Sequence, residues 1–439
     1  MTEEAAAYGK ERHVGVGQGL LALSPVGVFA VFYLVVSVVA GDFYKMPLSV
    51  AFLVASGWAI LICRGMKLNE RIAIYSGEAA NPNVLFMVWI FILAGGFASL
   101  ATGIGAVDAT VGLTMQWLPP SMVIPGLFTA ACVISFAVGT SVGTVVALTP
   151  LAVKLAGAVD AETAYFVAVV IGGAFFGDNL SFISDTTIAA TRTQGCKLND
   201  KFKANVLIVV PAALLTLAAY VLDGIDVTSE IAKPEVDYLL VVPYATVIVT
   251  AIAGVNVVTV LTLGILTALG IGLVKGTGFF DLAGMAGNGI DSMGDLIIVT
   301  LMAAGMLGVI KATGGVDFLL RALTSAVKGT RGGQTCIAVL VGLINICTAN
   351  NTVAIITVGP IARDIAERYD ISPRKSASLL DTASCLVQCL IPYGAQTLLA
   401  TSLAGISPMA PWRYLYYPWA LLLMLVLSII VKRKRRLSN

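Results

Sequence analysis

The chain has 439 residues, of which 58% are hydrophobic and only 12% charged, and its formal net charge is +2. A soluble domain carries roughly 25% charged residues, so this composition excludes a water-soluble globular protein. The near-neutral balance, with no basic domain interleaved with aromatics, argues against nucleic acid as a partner.

In chain order, the N-terminal "MTEEAAAYGKERH" is mixed in charge and lacks a signal-peptide cleavage pattern. Apolar runs then fall at 20–40, 45–63, 84–101, 121–156, 163–191, 204–222, 237–253, 256–274, 294–311, 334–362, 376–402 and 413–432. Many reach the roughly 20 residues that a bilayer crossing needs. The chain is therefore read as an all-α polytopic membrane protein. Runs 121–156 and 334–362 are interrupted by the polar tips "GTSVGT" and "CTANNT". Runs 163–191 and 376–402 are long and broken, by "GDNLSFISDTT" and "QCLIPYGAQT". Short loops connect the rest. The seven cysteines form no CxxC pair and read as small reduced core residues.

An internal repeat relates the halves. "GTSVGTVVALTPLA" from Gly139 aligns with "ANNTVAIITVGPIA" from Ala349, placing Pro150 on Pro360, Thr187 on Thr397 and Ala190 on Ala400. Such halves are the signature of a secondary transporter. If 121–156 and 334–362 are re-entrant hairpins, each half makes five crossings and the halves are inverted. With a cytoplasmic N-terminus, the inside then holds about 22 of the 27 lysines and arginines, as the positive-inside rule requires. These are Lys10, Arg12, Arg64, Lys67, Arg71, Arg192, Lys197, Lys201, Lys203, Lys311, Arg321, Lys328, Arg331, Arg363, Arg368, Arg374, Lys375 and Lys432 to Arg436. The expected architecture is two inverted repeats of five transmembrane helices, residues 1–222 and 237–439. Each contains a re-entrant hairpin and a broken helix, and both termini are cytoplasmic. The charge pattern suggests a bacterial inner membrane.

Non-helical backbone inside a bilayer survives only where it is buried in protein or lines a wet cavity, so both tips and both breaks are expected to meet centrally. Asp178 and Asp185 lie in the first break, and glycine 177 with the hydroxyl run argues for unwinding between them. An aspartate at mid-membrane costs about 2.5–3.5 kcal/mol on translocon scales, which points to use. Carboxylates with hydroxyls and carbonyls suit a hard cation such as Na⁺, and a carboxylate that holds Na⁺ also takes a proton. The candidate cation and proton ligands are Asp178, Asp185, Asn179, Ser181, Ser184, Thr186, Thr187, Thr140 and Ser141, with Asp185 favoured of the two acids. Alternatively, Ser184 or Asp185 only caps the segment "TTIAATR". The second half offers a neutral polar set, Asn350, Asn351, Thr352, Gln388, Tyr393 and Gln396. The two asparagines either cap their own tip or ligate a cation or an organic solute. Asp108 and Asp317 read as turn or cap residues of interfacial loops, and Asp381 as an N-cap near the cytoplasmic face. "GTSVG" at 139–143 satisfies G-x-S-x-G, but the lone histidine, His13, sits in the N-terminal tail. No hydrolase triad is available, so no enzyme and no cofactor are expected.

"GTSVGT" followed by "GDNLSFISDTT", with the later "ANNTVAI…GPIA" and "IPYGAQT", resembles the NhaC family of Na⁺/H⁺ antiporters over most of the chain. It departs at Phe182, where the family often has proline, and at Val142, where it has an aromatic. The resemblance implies membership of the ion transporter superfamily: inverted five-helix repeats with re-entrant hairpins, homodimers formed through a scaffold domain, and elevator movement of a transport domain. It implies exchange of Na⁺ or Li⁺ for H⁺. It also implies an alternative, Na⁺- or H⁺-coupled amino-acid symport.

Overall fold

The computed structural model describes residues 15–40, 46–63, 65–182, 184–224, 236–324 and 327–431. Lys10, Arg12, His13, Arg64 and Lys432 to Arg436, named above, lie outside them. Among the described residues the protein consists of α-helices and two short 3₁₀ turns, without a strand. The first half comprises α1 (Val16–Ala40), α2 (Leu48–Ile62), α3 (Leu68–Ala79), α4 (Pro82–Gly103), α5 (Ala106–Trp117), α6 (Val123–Val138), α7 (Ser141–Ala158), α8 (Thr163–Leu180), α9 (Asp185–Gln194) and α10 (Leu198–Gly224). The second comprises α11 (Tyr238–Ile252), α12 (Val257–Val274), α13 (Phe279–Ser292), α14 (Gly294–Ala312), α15 (Gly315–Thr324), α16 (Gly329–Thr348), α17 (Asn351–Arg368), α18 (Pro373–Leu390), α19 (Ala395–Ala404) and α20 (Tyr416–Ile430).

Nine stretches of described helix are long and apolar enough to cross a membrane, and four shorter apolar helices accompany them. The distribution of side chains is inside-out. Leu61, Leu214 and Leu266 stand more than half exposed on helix surfaces, while Asp178, Ser184 and Thr187 are buried. Lipid is the solvent that rewards this arrangement.

Helices α7, α8 and α9 begin and end 210 residues before α17, α18 and α19 respectively. Packing between the halves is reciprocal. α9 lies on α17 as α19 lies on α7, α4 on α13 as α14 on α3, and α5 on α11 as α15 on α1; α10 and α20 face each other. The crossing of α4 and α13 is backbone-close: a Cβ on Gly95 would stand 2.2 Å from the Gly289 carbonyl oxygen, and one on Gly289 2.1 Å from that of Gly95. Small residues permit this approach between membrane helices.

Four segments that the hydropathy pattern leaves as connections are helices: α3, α5, α13 and α15. Asp108 and Asp317 consequently sit in the first turns of α5 and α15, where a carboxylate complements the helix dipole, and not in loops. Asp108 also pairs with Lys154 at 2.9 Å.

Candidate functional site

The break in the first half lies between the end of α8 at Leu180 and the start of α9 at Asp185. Gly177 is not part of it. The helix runs through that glycine, which packs so closely on α6 that a Cβ there would stand 2.2 Å from the Ser135 carbonyl carbon. Unwinding leaves carbonyls at the end of α8 and N–H groups at the start of α9 without helical partners. The hydroxyls of the run take up part of this deficit. Ser184 accepts from the Thr187 N–H at 3.4 Å and so caps α9, while its hydroxyl donates to the Asp178 carbonyl at 2.9 Å. Thr186 donates to that same carbonyl at 3.1 Å.

The Asp178 side chain turns the other way, to the tip between α6 and α7. Gly139 ends α6 in the left-handed region (φ 73°), Thr140 is extended, and α7 begins at Ser141. Thr140 provides no side-chain cap. Asp178 caps α7 instead, accepting from the Ser141 N–H at 2.9 Å and the Ser141 hydroxyl at 2.5 Å. A carboxylate thus meets the positive end of a half-helix in the protein interior.

The second half repeats the geometry with different chemistry. Ala349 occupies the left-handed position (φ 48°), and Asn350 caps its own helix, accepting from the Val353 N–H at 3.0 Å. Gln388, which takes the place of Asp178, donates to the Ala349 carbonyl at 2.9 Å. The acidic member satisfies a helix start, and the amide member satisfies a helix end. Gln388 also donates to Gln396 Oε1 at 3.1 Å, and Gln396 Nε2 donates to the Ser141 hydroxyl at 2.9 Å. The donors Gln388, Gln396 and Ser141 all point along one chain towards the Asp178 carboxylate, an order that suits its ionised form.

Between the two tips lies a cleft of about 110 Å³. Its polar wall comprises Asp178, Ser184, Asp185 and Thr186 from the first break, Thr140 and Ser141 from one tip, Asn350, Asn351 and Thr352 from the other, and Gln396. Asp185 is exposed at the first residue of α9, and its side chain makes no hydrogen bond or ion pair among the described residues. The opposite wall was not foreseen. Asn83, Phe86, Met87 and Ile90 of α4 line it, one helical face at i, i+3, i+4 and i+7.

Five expected residues stand off the cleft. The Asn179 amide donates to the Phe175 carbonyl at 3.0 Å, Ser181 is buried in the break, and Gln388 sits behind Gln396. The Tyr393 hydroxyl donates to the Ile346 carbonyl at 2.7 Å. Thr187 faces a cluster that sequence reasoning missed. Lys201 of α10, 1% exposed, pairs with Asp381 of α18, 0% exposed, at 2.7 Å. Its ammonium also donates to the Asn179 carbonyl at 2.7 Å and the Thr187 hydroxyl at 2.5 Å. Asn205, one turn along α10, donates to the Asn179 carbonyl at 2.8 Å and to Asp381 at 2.7 Å.

Two sequence readings are corrected here. Lys201 is not a cytoplasmic loop cation: its long stem carries the ammonium back to the broken helix. Asp381 is not an N-cap: it lies well inside α18 and is held there by the lysine. The signal in the sequence was Lys201 and Asn205 at i and i+4, which share a helix face.

The sequence profile of the Na⁺/H⁺ antiporter family matches residues 79–225 and 228–432. An uncharacterized Na⁺/H⁺ antiporter of Haemophilus influenzae is 22% identical over 396 residues, 81% of each chain. The arginine/ornithine antiporter ArcD of Halobacterium salinarum is 23% identical over 469 aligned residues, covering 97% of this chain and 93% of its own. The Na⁺/H⁺ antiporter NhaC of Alkalihalophilus pseudofirmus is 23% identical over 393, covering 80% of this chain and 84% of its own. Among solved structures, the YdaH transporter of Alcanivorax borkumensis aligns over 92% of this chain and 98% of its own, at 14% identity and a TM-score of 0.44.

Proposed function

The chain belongs to the Na⁺/H⁺ antiporter family, and from that premise we propose that it exchanges Na⁺ or Li⁺ for H⁺ by alternating access at the cleft between the two tips. The observation that carries this reading is the pair of carboxylates, Asp178 and Asp185, on one wall of a cavity of about 110 Å³. That volume suits a partly dehydrated monovalent cation. It is well below the roughly 300–1,000 Å³ of pockets that enclose drug-sized ligands.

In the proposed cycle Asp178 and Asp185 take either the cation or protons. The hydroxyls of Thr140, Ser141, Ser184 and Thr186 and the side-chain oxygens of Asn350 and Asn351 supply further oxygen ligands, a donor set suited to a hard cation. When the cation leaves, a proton on each carboxylate leaves the pair neutral inside the membrane. Asp178 must then give up its role as a double acceptor towards Ser141. Because Ser141 is hydrogen-bonded to Gln396 of the other half, the state of Asp178 is felt on both sides of the cleft.

The same proposal makes the halves inverted, 1–222 and 237–439, with both termini in the cytoplasm of a bacterial cell. The reciprocal packing supports it, and so does the lysine and arginine bias, which survives the removal of Lys201 from the inside set. The amino-acid reading is kept as an alternative because one relative is an arginine/ornithine antiporter and the second-half wall is neutral and amide-rich.

The test is a pH-dye assay in sealed proteoliposomes given Na⁺, Li⁺ or K⁺ without organic solute. Na⁺- or Li⁺-driven proton movement that is lost in Asp185→Asn supports the reading. Folded protein that moves no protons, yet takes up an amino acid, replaces it with the alternative.

A further inference from the structure

We infer that Lys201 is a resident cation that fills a second oxygen cage beside the cleft, so that the protein carries a single mobile cation site. The cage is built from four elements. The Asn179 carbonyl ends α8, the Thr187 hydroxyl belongs to α9, Asp381 Oδ2 comes from α18, and Lys201 enters from α10. Three oxygens stand 2.5–2.7 Å from the ammonium nitrogen. An ammonium has three donors, and all three are used. An anionic carboxylate, a neutral carbonyl at an unwound helix end and a hydroxyl form the kind of oxygen set that holds a hard monovalent cation. Here a covalently tethered charge occupies it.

The repeat supplies an internal control. The offset of 210 carries Lys201 onto Pro411, Asn205 onto Leu415, Asp381 back onto Ile171 and Asn179 onto Cys389. The Asn179 contribution is a main-chain carbonyl, which Cys389 also offers; of the cage's side chains only the threonine is retained, as Thr397, and its buried hydroxyl has no partner among the described residues. The matching positions of the repeat thus carry neither the carboxylate, replaced by Ile171, nor the cation, replaced by Pro411. Charge and counter-charge are present together or absent together, as expected where an unpaired buried ion is costly. Fixing the ammonium across the break would also hold α8, α9 and α18 in register whether the cleft is loaded or empty. Asn179 and Thr187 thereby serve the lysine and not the transported ion.

This inference rests on the proposed Na⁺ transport only for the choice of probe, and counting bound ions separates the two. The full-length protein, its Lys201→Ala variant and the volume-conserving Lys201→Met/Asp381→Leu double variant would be purified, and bound ²²Na⁺ counted at saturation. The expected result is about one Na⁺ per chain in the parent, about two in Lys201→Ala with a steeper Na⁺ dependence, and about one in the double variant, which keeps exchange within about threefold of the parent. A folded Lys201→Ala that binds no more Na⁺ than the parent overturns the inference. If Lys201→Ala folds only in Na⁺, the added ion has replaced the ammonium, and the inference stands. If it does not fold at all, the double variant decides: loss of folding there, or a tenfold or greater loss of exchange, overturns it. A parent that binds no Na⁺, and whose pH-dye signal responds to neither Na⁺ nor Li⁺, removes the proposed transport reading instead, and Lys201→Ala would then still gain about one Na⁺.

Discussion

Replacing Asp178 by asparagine separates fold from transport. The carboxylate accepts two hydrogen bonds from Ser141, at 2.9 and 2.5 Å. A hydrogen bond to a charged group contributes about 1.5–3 kcal/mol, and one between neutral groups about 0.5–1.5. In Asp178→Asn the carbonyl oxygen keeps the Ser141 N–H. The new amide meets a hydroxyl that already accepts from Gln396, so the Ser141 proton must turn away. The structural loss is then about 1–3 kcal/mol, offset by no longer burying a charge, which costs several kcal/mol. The expected thermal midpoint without Na⁺ is within a few degrees of the parent, by the rough conversion of stability into melting temperature. Transport responds differently. Stripping one partner from a buried ion pair costs about 3–5 kcal/mol, which is a roughly hundredfold to several-thousandfold weakening of Na⁺ binding. Na⁺ titration of the dye signal in proteoliposomes measures this directly. An unchanged half-saturation concentration in folded Asp178→Asn would refute the assignment of the carboxylate to the cation.

Asp185→Asn is expected to abolish exchange while shifting stability by less than about 0.5 kcal/mol, since its side chain makes no hydrogen bond or ion pair among the described residues; thermal melts beside the exchange assay check both. Gly177→Ala places a methyl against Ser135 backbone and is expected to lower stability by about 1–3 kcal/mol through overpacking, visible as a lower melting temperature. Leucine at Gln396 would cut the donor chain into Ser141, and a weakened Na⁺ response with protein still folded is expected; full exchange would detach the second half from the site. Glu162 and Arg413 form an exposed pair, and hydrogen bonding to the guanidinium holds the Glu162 carboxyl below its usual range. The pair's contribution is therefore present at neutral pH and lost as pH falls through that lowered value. Glu162→Gln should remove this pH dependence, and melting curves from pH 7 down to the carboxylate range would show it.

Much of this molecule was written in local patterns. The breaks after Leu180 and Leu390 are legible because Ser181, Ser184 and the threonines that follow interrupt one apolar run, and Pro392 and Gly394 the other. The repeat is legible because Pro150 and Pro360 fall at the same place in matching segments. The Lys201–Asp381 pair was not, for a physical reason. Lys201 stands in "KLNDKFK", a run that composition alone assigns to the cytoplasm, and only the length of its stem and the position of α18 bring it inside. The α4 wall was hidden differently: Asn83 and Met87 lie in a helix apolar on all sides, so no periodicity marked the face towards the cleft. The amphipathic helices α3, α5, α13 and α15 escaped because a hydropathy threshold finds spans, not short helices of mixed character.

The reciprocal packing has a consequence for biogenesis. α9 seats against α17, with Gln194 donating to the Gly359 carbonyl at 2.8 Å, yet about 174 residues separate the end of one from the end of the other. At a synthesis rate of about 5–20 residues per second, α9 waits roughly ten to thirty-five seconds for its seat. During that interval its threonine-lined face and Asp178 are in the membrane without half of their surroundings. The nascent first half would be an obligate client of whatever shields polar membrane segments until the second half is threaded in. Ribosome pausing after residue 224 would lengthen that exposure and lower yield more than the same pause after residue 404.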